Sequence, residues 1–264
     1  VIEIHDLGDP RIAAFKSVRD RDLLREHEGA FVVEGEVPLR VLLAQTRRTV
    51  RAVLVSAAQA AKLRTLLETV DAPVYVAPPA LLDGVVGFSI HRGVLALAER
   101  GAALSLEALP PGPSLVVALC GVSNHDNVGG IFRNAAAFGV DAVVIDRATC
   151  DPLYRKAVRV SVGGSIVVPF VQLGDEAELV DALIARGYAP WALSPSGDAV
   201  IGRVPPPSEA RVALLFGAEG PGLQATTLAR CRSARIEMRS GWDSLNVAAA
   251  SAIALHWLRA GATP

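Results

Sequence analysis

Methionine occurs once in this chain, lysine only at Lys16, Lys62 and Lys156, and cysteine only at Cys120, Cys150 and Cys231. The cysteines lie far apart and none belongs to a CxxC or Cys/His spacing. That speaks against a zinc site and against a disulfide framework, and leaves buried thiols as the expectation. No apolar run reaches the roughly 18 residues that a membrane span needs, and the start lacks the basic-then-apolar pattern of a leader. A cytoplasmic protein without membrane or metal partners is therefore expected. A net charge of −1 provides no global field for nucleic acid, so a polyanion has to be met by local patches. The near-absence of lysine among 26 basic residues favours arginine's planar, bidentate recognition of phosphate, although a GC-rich genome produces the same bias.

What is present is the composition of a folded globular chain: 264 residues, 51% hydrophobic and 20% charged. The stretch ALPPGPS at 108–114 cannot join a helix or an interior strand, and it divides the sequence into domains at 1–107 and 115–264. The first reads as a small α/β unit, with strand-like runs at 31–34, 50–55, 74–76 and 94–98 and helical spacing at 37–45 and 57–70. Its basic residues cluster at Arg11, Lys16, Arg19, Arg21 and Arg25, and again at Arg47, Arg48 and Arg51. Such clusters are either a solvated face or a phosphate-contacting patch. His91 and Arg92 form a polar turn before the last run. In the second domain, apolar runs at 115–120, 142–145, 166–171, 188–193, 212–216 and 234–238 alternate with helical segments, the pattern of a parallel sheet covered on both faces. Ligands of such sheets bind beyond the carboxyl ends of the strands.

Three polar loops sit at those ends. The first, SNHDNVGGIFRNAAAFG at 123–139, opens a helix that Asn127 can cap and from whose first turns Arg133 projects. It lacks the GxGxxG pattern of a dinucleotide site, and a single histidine, His125, is more often solvated or structural than a general base. The second, LLFGAEGPGL at 214–223, packs three glycines around Glu219, as a tight turn or as a loop whose backbone approaches a ligand. The third runs through 236–246 into an alanine-rich helix in which Ala250, Ile253, Ala254, Trp257 and Leu258 form one apolar stripe. Asp243 or Ser244 can cap that helix, Asn246 lies in its first turn, and Gly261 can end it.

NVGGIFRNAAAFG, LLFGAEGPGL and IEMRSGWDSLNVAAASAIAL, in this order, closely resemble the three motifs of the SpoU (TrmH-like) RNA 2′-O-methyltransferases of the SPOUT superfamily. RKAVRVSVGGSIVVPF resembles the segment between the first two motifs. More weakly, FVVEGEVPLRVLLAQ, VRAVLVS and HRGVLALAER are similar to the family's N-terminal RNA-binding domain. The resemblance implies an α/β protein whose C-terminal parallel-sheet domain carries a trefoil knot, a rare exception to the usual rules of chain topology. It also implies S-adenosyl-L-methionine as methyl donor, held near Leu193, Gly217, Ala218, Glu219, Gly220, Ile236, Met238 and Leu245, and no metal. Arg133 matches the family's essential arginine, and Asn127, Glu219, Ser244 and Asn246 match its other polar positions. RNA as substrate, ribosomal more than transfer RNA, and a homodimer presenting Arg133 to the partner's cofactor are implied as well. Arg155 and Arg159 either extend an RNA-facing surface or form structural ion pairs. Glu237 stands where the family often has proline. The competing readings are an inactive RNA-binding protein of the same fold and a conventional nucleotide-dependent enzyme; the second lacks its glycine fingerprint.

Overall fold

The computed structural model describes residues 1–16, 29–86, 93–109 and 111–260; Arg19, Arg21, Arg25, His91, Arg92 and Gly261 lie outside the described residues. The chain forms two compact units, Val1–Ala102 with Leu153–Val167, and Ala103–Pro152 with Val168–Pro264.

The first unit is built on a mixed sheet of β1 (Ile2–Glu3), β2 (Ala30–Glu34), β3 (Val50–Ser56), β4 (Val74–Ala77) and β5 (Val94–Glu99), in the order β1-β4-β3-β5-β2. β3 pairs in parallel with β4 and antiparallel with β5, which also pairs antiparallel with β2. The helical run expected at 57–70 breaks at Leu63 into Ala57–Lys62 and Arg64–Leu67, because Leu63 turns out of helical geometry (φ −101, ψ 14) and buries its side chain.

The segment Leu153–Val167, assigned from the sequence to the second domain, belongs to this first unit. Its helix Arg155–Val160 packs on β2, whose last residue, Glu34, is buried. Arg159 Nη1 lies 3.4 Å from one Glu34 carboxylate oxygen, and Arg155 Nε lies 3.8 Å from the other. Arg155 and Arg159 thus take the ion-pair alternative. Arg47 donates to the Val167 carbonyl, and Arg48 donates to the carbonyls of Arg100 and Ile166 while lying over the Phe31 ring. Arg51 pairs with Glu99 at 3.1 Å. This cluster, open in the sequence between a solvated face and a phosphate patch, is engaged within its own unit.

The second unit is a sheet of parallel strands: β6 (Ser114–Cys120), β7 (Ala142–Ile145), β8 (Phe170–Gln172), β9 (Ala189–Leu193), β10 (Ala199–Val200), β11 (Arg211–Gly217) and β12 (Arg232–Arg235). Their order is β10-β12-β9-β11-β6-β7-β8. β11 and β6 run in register from Arg211 opposite Ser114 to Gly217 opposite Cys120. Because successive side chains of a strand face opposite sides, this central pair feeds two cores. Val117, Leu119, Leu214 and Phe216 pack under helices His125–Ala137 and Val247–Ala260, whereas Val116, Ala118, Ala213 and Leu215 pack under helix Glu176–Ala185. The mixed α/β fold with a parallel sheet therefore stands as expected.

Two strand expectations need correction. The run at 166–171 begins as a helical turn, Gly164–Val167, and becomes strand only at Phe170, after Pro169, which has no N–H to give to a ladder. The run at 234–238 ends as strand at Arg235, leaving Ile236 and Met238 free to line a cleft. Among the described residues no helix is long and apolar enough to cross a membrane. Burial pushes all three thiols up, Cys150 to about 12 and Cys231 to about 11, so none is an activated nucleophile at neutral pH.

Removing the Glu34 carboxylate takes a buried ion-pair partner from Arg159 and from Arg155 at once. Glu34→Ala is expected to lose about 2 kcal/mol of stability, as broken partly buried ion pairs do. Urea unfolding checks this, with Arg40→Ala, at an exposed ion pair, as the variant expected to change little.

Candidate active site

β6 delivers the chain to a tight turn at Gly121, whose N–H donates to Asp146 Oδ1 at 3.0 Å. The same buried oxygen accepts from the Thr149 N–H at 2.8 Å and from the Thr149 hydroxyl at 2.7 Å, so the loops after β6 and β7 are tied together. Asn124, not Asn127, caps the following helix His125–Ala137, accepting from the Asp126 N–H at 2.9 Å. Released from capping, Asn127 lies inside the first turn, buried, with its amide directed at other segments.

The C-terminal helix Val247–Ala260 likewise starts on a different cap from the one expected. Asn246 Oδ1 accepts from the N–H groups of Ala248 at 3.0 Å and Ala249 at 3.2 Å, while Ser244 only donates to the neighbouring Asp243. Asn246 Nδ2 then donates to Asn127 Oδ1 at 2.8 Å, and Asn127 Nδ2 donates to Glu219 Oε1. The sequence places these three residues in three separate motifs, and one hydrogen-bonded line joins them. Small residues let the two helices close on it. A Cβ on Gly130 would stand 2.7 Å from that of Ala248, and Asn134 Nδ2 donates across to the Ala248 carbonyl at 2.8 Å and to Ser251 Oγ at 2.9 Å.

The glycine loop after β11 is folded back on itself. A Cβ on Gly217 would lie 2.3 Å from backbone atoms of Gly222 and Leu223, so only glycine fits there, and Gly220 (φ 88) and Gly222 (φ 72) adopt left-handed conformations. The loop's far end is latched by buried Glu176, which accepts the Gln224 N–H at 2.8 Å. Between this loop, the end of β9 and the stretch leading into the last helix lies a cleft of about 180 Å³. Leu193, Gly217, Ala218, Glu219, Gly220, Ile236, Met238 and Leu245 all line it, as does Ser244. Asn127 and Asn246 are joined to its wall through Glu219 rather than lining it.

Arg133 is brought near none of these groups by a contact. It is exposed, it does not line the cleft, and it has no hydrogen bond or ion pair among the described residues. His125 is the first residue of its helix and does not line the cleft either. Glu237, at the family's frequent proline position, pairs with Arg203. Sequence reasoning passed over Asn124, Asn134, Asp146 and Glu176. Asn124 carried a readable signal, a capping residue just before the helix, but Glu176 meets Gln224 across 48 residues and no local pattern announces that. Among the described residues no group of three or more His, Cys, Asp or Glu side chains is arranged to hold a metal ion.

The model of the SpoU rRNA methylase family matches residues 114–256. The chain belongs to the SpoU rRNA methylase family. It is an RNA methyltransferase of that family, and its relatives extend the match beyond the parallel-sheet unit. The uncharacterized tRNA/rRNA methyltransferase Rv0881 of Mycobacterium tuberculosis is 38% identical over 262 residues, covering 97% of this chain and 91% of that protein. The 23S rRNA (guanosine-2′-O-)-methyltransferase RlmB of Bordetella pertussis is 32% identical over 180 residues, 66% of this chain and 73% of its own. Among solved structures, an AdoMet-bound rRNA methyltransferase from Sinorhizobium meliloti superposes with a TM-score of 0.82 at 22% identity, covering 98% of this chain and 97% of that one. The SpoU methyltransferase AviRb of Streptomyces viridochromogenes, in complex with AdoMet, gives 0.80 at 24% identity, covering 95% and 97%. At such identities the superposition establishes the shared SpoU fold.

The line from Asn246 through Asn127 to Glu219 makes a stability prediction. Asn127→Leu keeps the branched shape but removes both hydrogen bonds, and is expected to cost about 1.5 kcal/mol by thermal or urea unfolding. Glu176→Gln, which keeps an acceptor for the Gln224 N–H, is expected to stay within about 0.5 kcal/mol of the parent.

Proposed function

We propose that this SpoU-family protein transfers a methyl group from S-adenosylmethionine to a ribose 2′-hydroxyl of RNA, most favourably ribosomal RNA, and that it works in the cytoplasm as a knotted homodimer. The observation that carries the reading is the cleft itself. Leu193, Ile236, Met238 and Leu245 supply apolar walls, and the folded-back glycine loop supplies exposed backbone, the combination that accepts a flat, uncharged heterocycle by hydrogen bonds from the main chain. The residues present therefore fit S-adenosylmethionine, whose sulfonium supplies an electrophilic methyl group when bound. Glu219 stands in the cleft wall with its carboxylate held by Asn127, so its position is fixed before any ligand arrives.

A ribose hydroxyl is a weak nucleophile at neutral pH and has to be aligned and helped to lose its proton. With an intrinsic pKa above about 12, arginine is a poor base but a good anchor for phosphate and for a developing alkoxide. Arg133 is assigned that role, with the proton passing to an RNA phosphate or to water. Ser244, at the cleft, and Asn246, behind it, hold the ribose side of the site. Because Arg133 lies off its own cleft and has no partner among the described residues, it is assigned to the cleft of a second copy in a symmetric pair. Ribosomal RNA is favoured by the name of the RlmB relatives, while the mycobacterial relatives' name keeps transfer RNA as the alternative.

Labelled S-adenosylmethionine, incubated separately with ribosomal and transfer RNA from a strain lacking this gene, tests the reaction. Label on one ribose of ribosomal RNA is expected; label on a base, or on none, overturns the reading. Gly217→Ala, whose new methyl group collides with the Gly222–Leu223 backbone, is expected to weaken S-adenosylmethionine binding at least tenfold in calorimetry. Arg133→Ala is expected to bind the methyl donor normally and to methylate nothing. Mixing the two variants, at a methyl-donor concentration too low for Gly217→Ala to turn over, tests the shared site. Random exchange into pairs restores about a quarter of the parent activity if arginine serves the opposite cleft, and none if it serves its own.

A further inference from the structure

Five residues, Arg239 to Asp243, separate Met238 from Ser244, and both of these flanking residues line the cleft. The five therefore form part of its rim. Within them Trp242 is 73% exposed, far above the other two tryptophans, Trp191 at 8% and Trp257 at 6%, which pack edge-to-face in the core. The rim is a turn: the Trp242 N–H donates to the Arg239 carbonyl at 3.1 Å, and Gly241 at φ 92 supplies the left-handed step that the turn requires. Arg239 is the second unusual residue of the rim. Among the described residues of the second unit, the other arginines apart from Arg133 are tied to carboxylates or backbone carbonyls, as Arg203 is to Glu237 and Arg235 to Asp198. Arg239, like Arg133, has no such partner and is exposed.

An indole left in water at the edge of a substrate cleft, beside an uncommitted guanidinium, is the pairing that holds an unstacked nucleotide: a face for the base and a charge for its phosphate. We infer that the 239–243 rim is a nucleotide-binding platform, on which Trp242 stacks against a base of the RNA substrate beside the target ribose while Arg239 contacts the adjoining phosphate. The assignment rests on the RNA-methyltransferase reading above. Asp243 is also on the rim, with Ser244 Oγ donating to its carboxylate at 3.3 Å, so the turn carries no net charge and stacking is the larger part of its contribution. The platform selects single-stranded or splayed-out nucleotides, because a base inside a helix has no free face to offer.

The distribution of tryptophans provides a direct test on the intact protein. Acrylamide quenching of the free enzyme is expected to find one accessible tryptophan, absent in Trp242→Phe. Ribosomal RNA from a strain lacking the gene, the same RNA used in the methylation assay, is expected to quench that fluorescence and shield it from acrylamide. Trp242→Ala is expected to raise the KM for this RNA about tenfold, with the S-adenosylmethionine affinity unchanged, and Trp242→Phe to restore most of the loss. Arg239→Ala is expected to weaken RNA binding and to lower its dependence on salt concentration by about one ion. RNA that is bound and methylated while the accessible tryptophan stays unchanged overturns the inference alone. So does a Trp242 already shielded in the free enzyme, or a Trp242→Ala variant that loses the methyl donor together with the RNA. RNA that is neither bound nor methylated overturns the reaction assigned to the cleft, and the platform with it.

Discussion

Asn127 has one amide, and both of its ends are engaged: its oxygen by Asn246, its nitrogen by Glu219. These partners lie 119 and 92 residues away in the chain, so a single buried side chain fixes the mutual position of the helix after β6, the glycine loop after β11 and the start of the last helix. The surrounding arrangements serve that junction. Gly130 and Ala248 let the helices close, Glu176 latches the loop, and the tie from Asp146 to Gly121 sets where the first helix begins. A polar line between three segments is satisfied in only one register, which gives the site the specificity of fit that apolar packing alone leaves loose.

The parallel-sheet unit was largely legible because its strands are continuous apolar runs and its chemistry is concentrated in three motifs. What escaped was tertiary. Asn127 and Asn124 both satisfy the local rule for a helix cap, and the choice between them is made by Asn246 and Glu219, which no window around residue 127 contains. The same holds for the last helix, where Asp243, Ser244 and Asn246 are each acceptable caps and the bond to Asn127 favours the third. Leu153–Val167 was read with the motifs that flank it, yet its arginines answer to Glu34, a residue more than a hundred positions earlier. Charge is where the sequence was least informative, since a cluster of arginines looks the same whether it waits for phosphate or grips carbonyl oxygens, as Arg47 and Arg48 do.

That use of arginine separates two tasks which composition alone merges. Where a guanidinium meets a carbonyl or a carboxylate of its own unit, its directional donors act as internal braces, and its charge is partly neutralised for any outside partner. The arginines left over in the parallel-sheet unit are few and lie in the first and third motifs. In a chain with a net charge of −1, the positive charge of that unit is thereby held in local groups rather than in a long-range field.

The strand order β10-β12-β9-β11-β6-β7-β8 also bears on how the molecule comes into being. β11 and β12 are made late, yet each ends between strands made earlier, so a nascent chain that has completed β9 still has unpaired parallel edges on either side of its future centre. Asn246 and the start of the last helix have to be made before Asn246 can reach Asn127, and the cleft, lined as far as Ala250, is complete only then. Such late, non-local closure is slow, and it exposes strand edges while it waits. The order of synthesis thus leaves the edges of β9 and β6 unpaired until β11 is made, and shielding by chaperones is of most use during that interval.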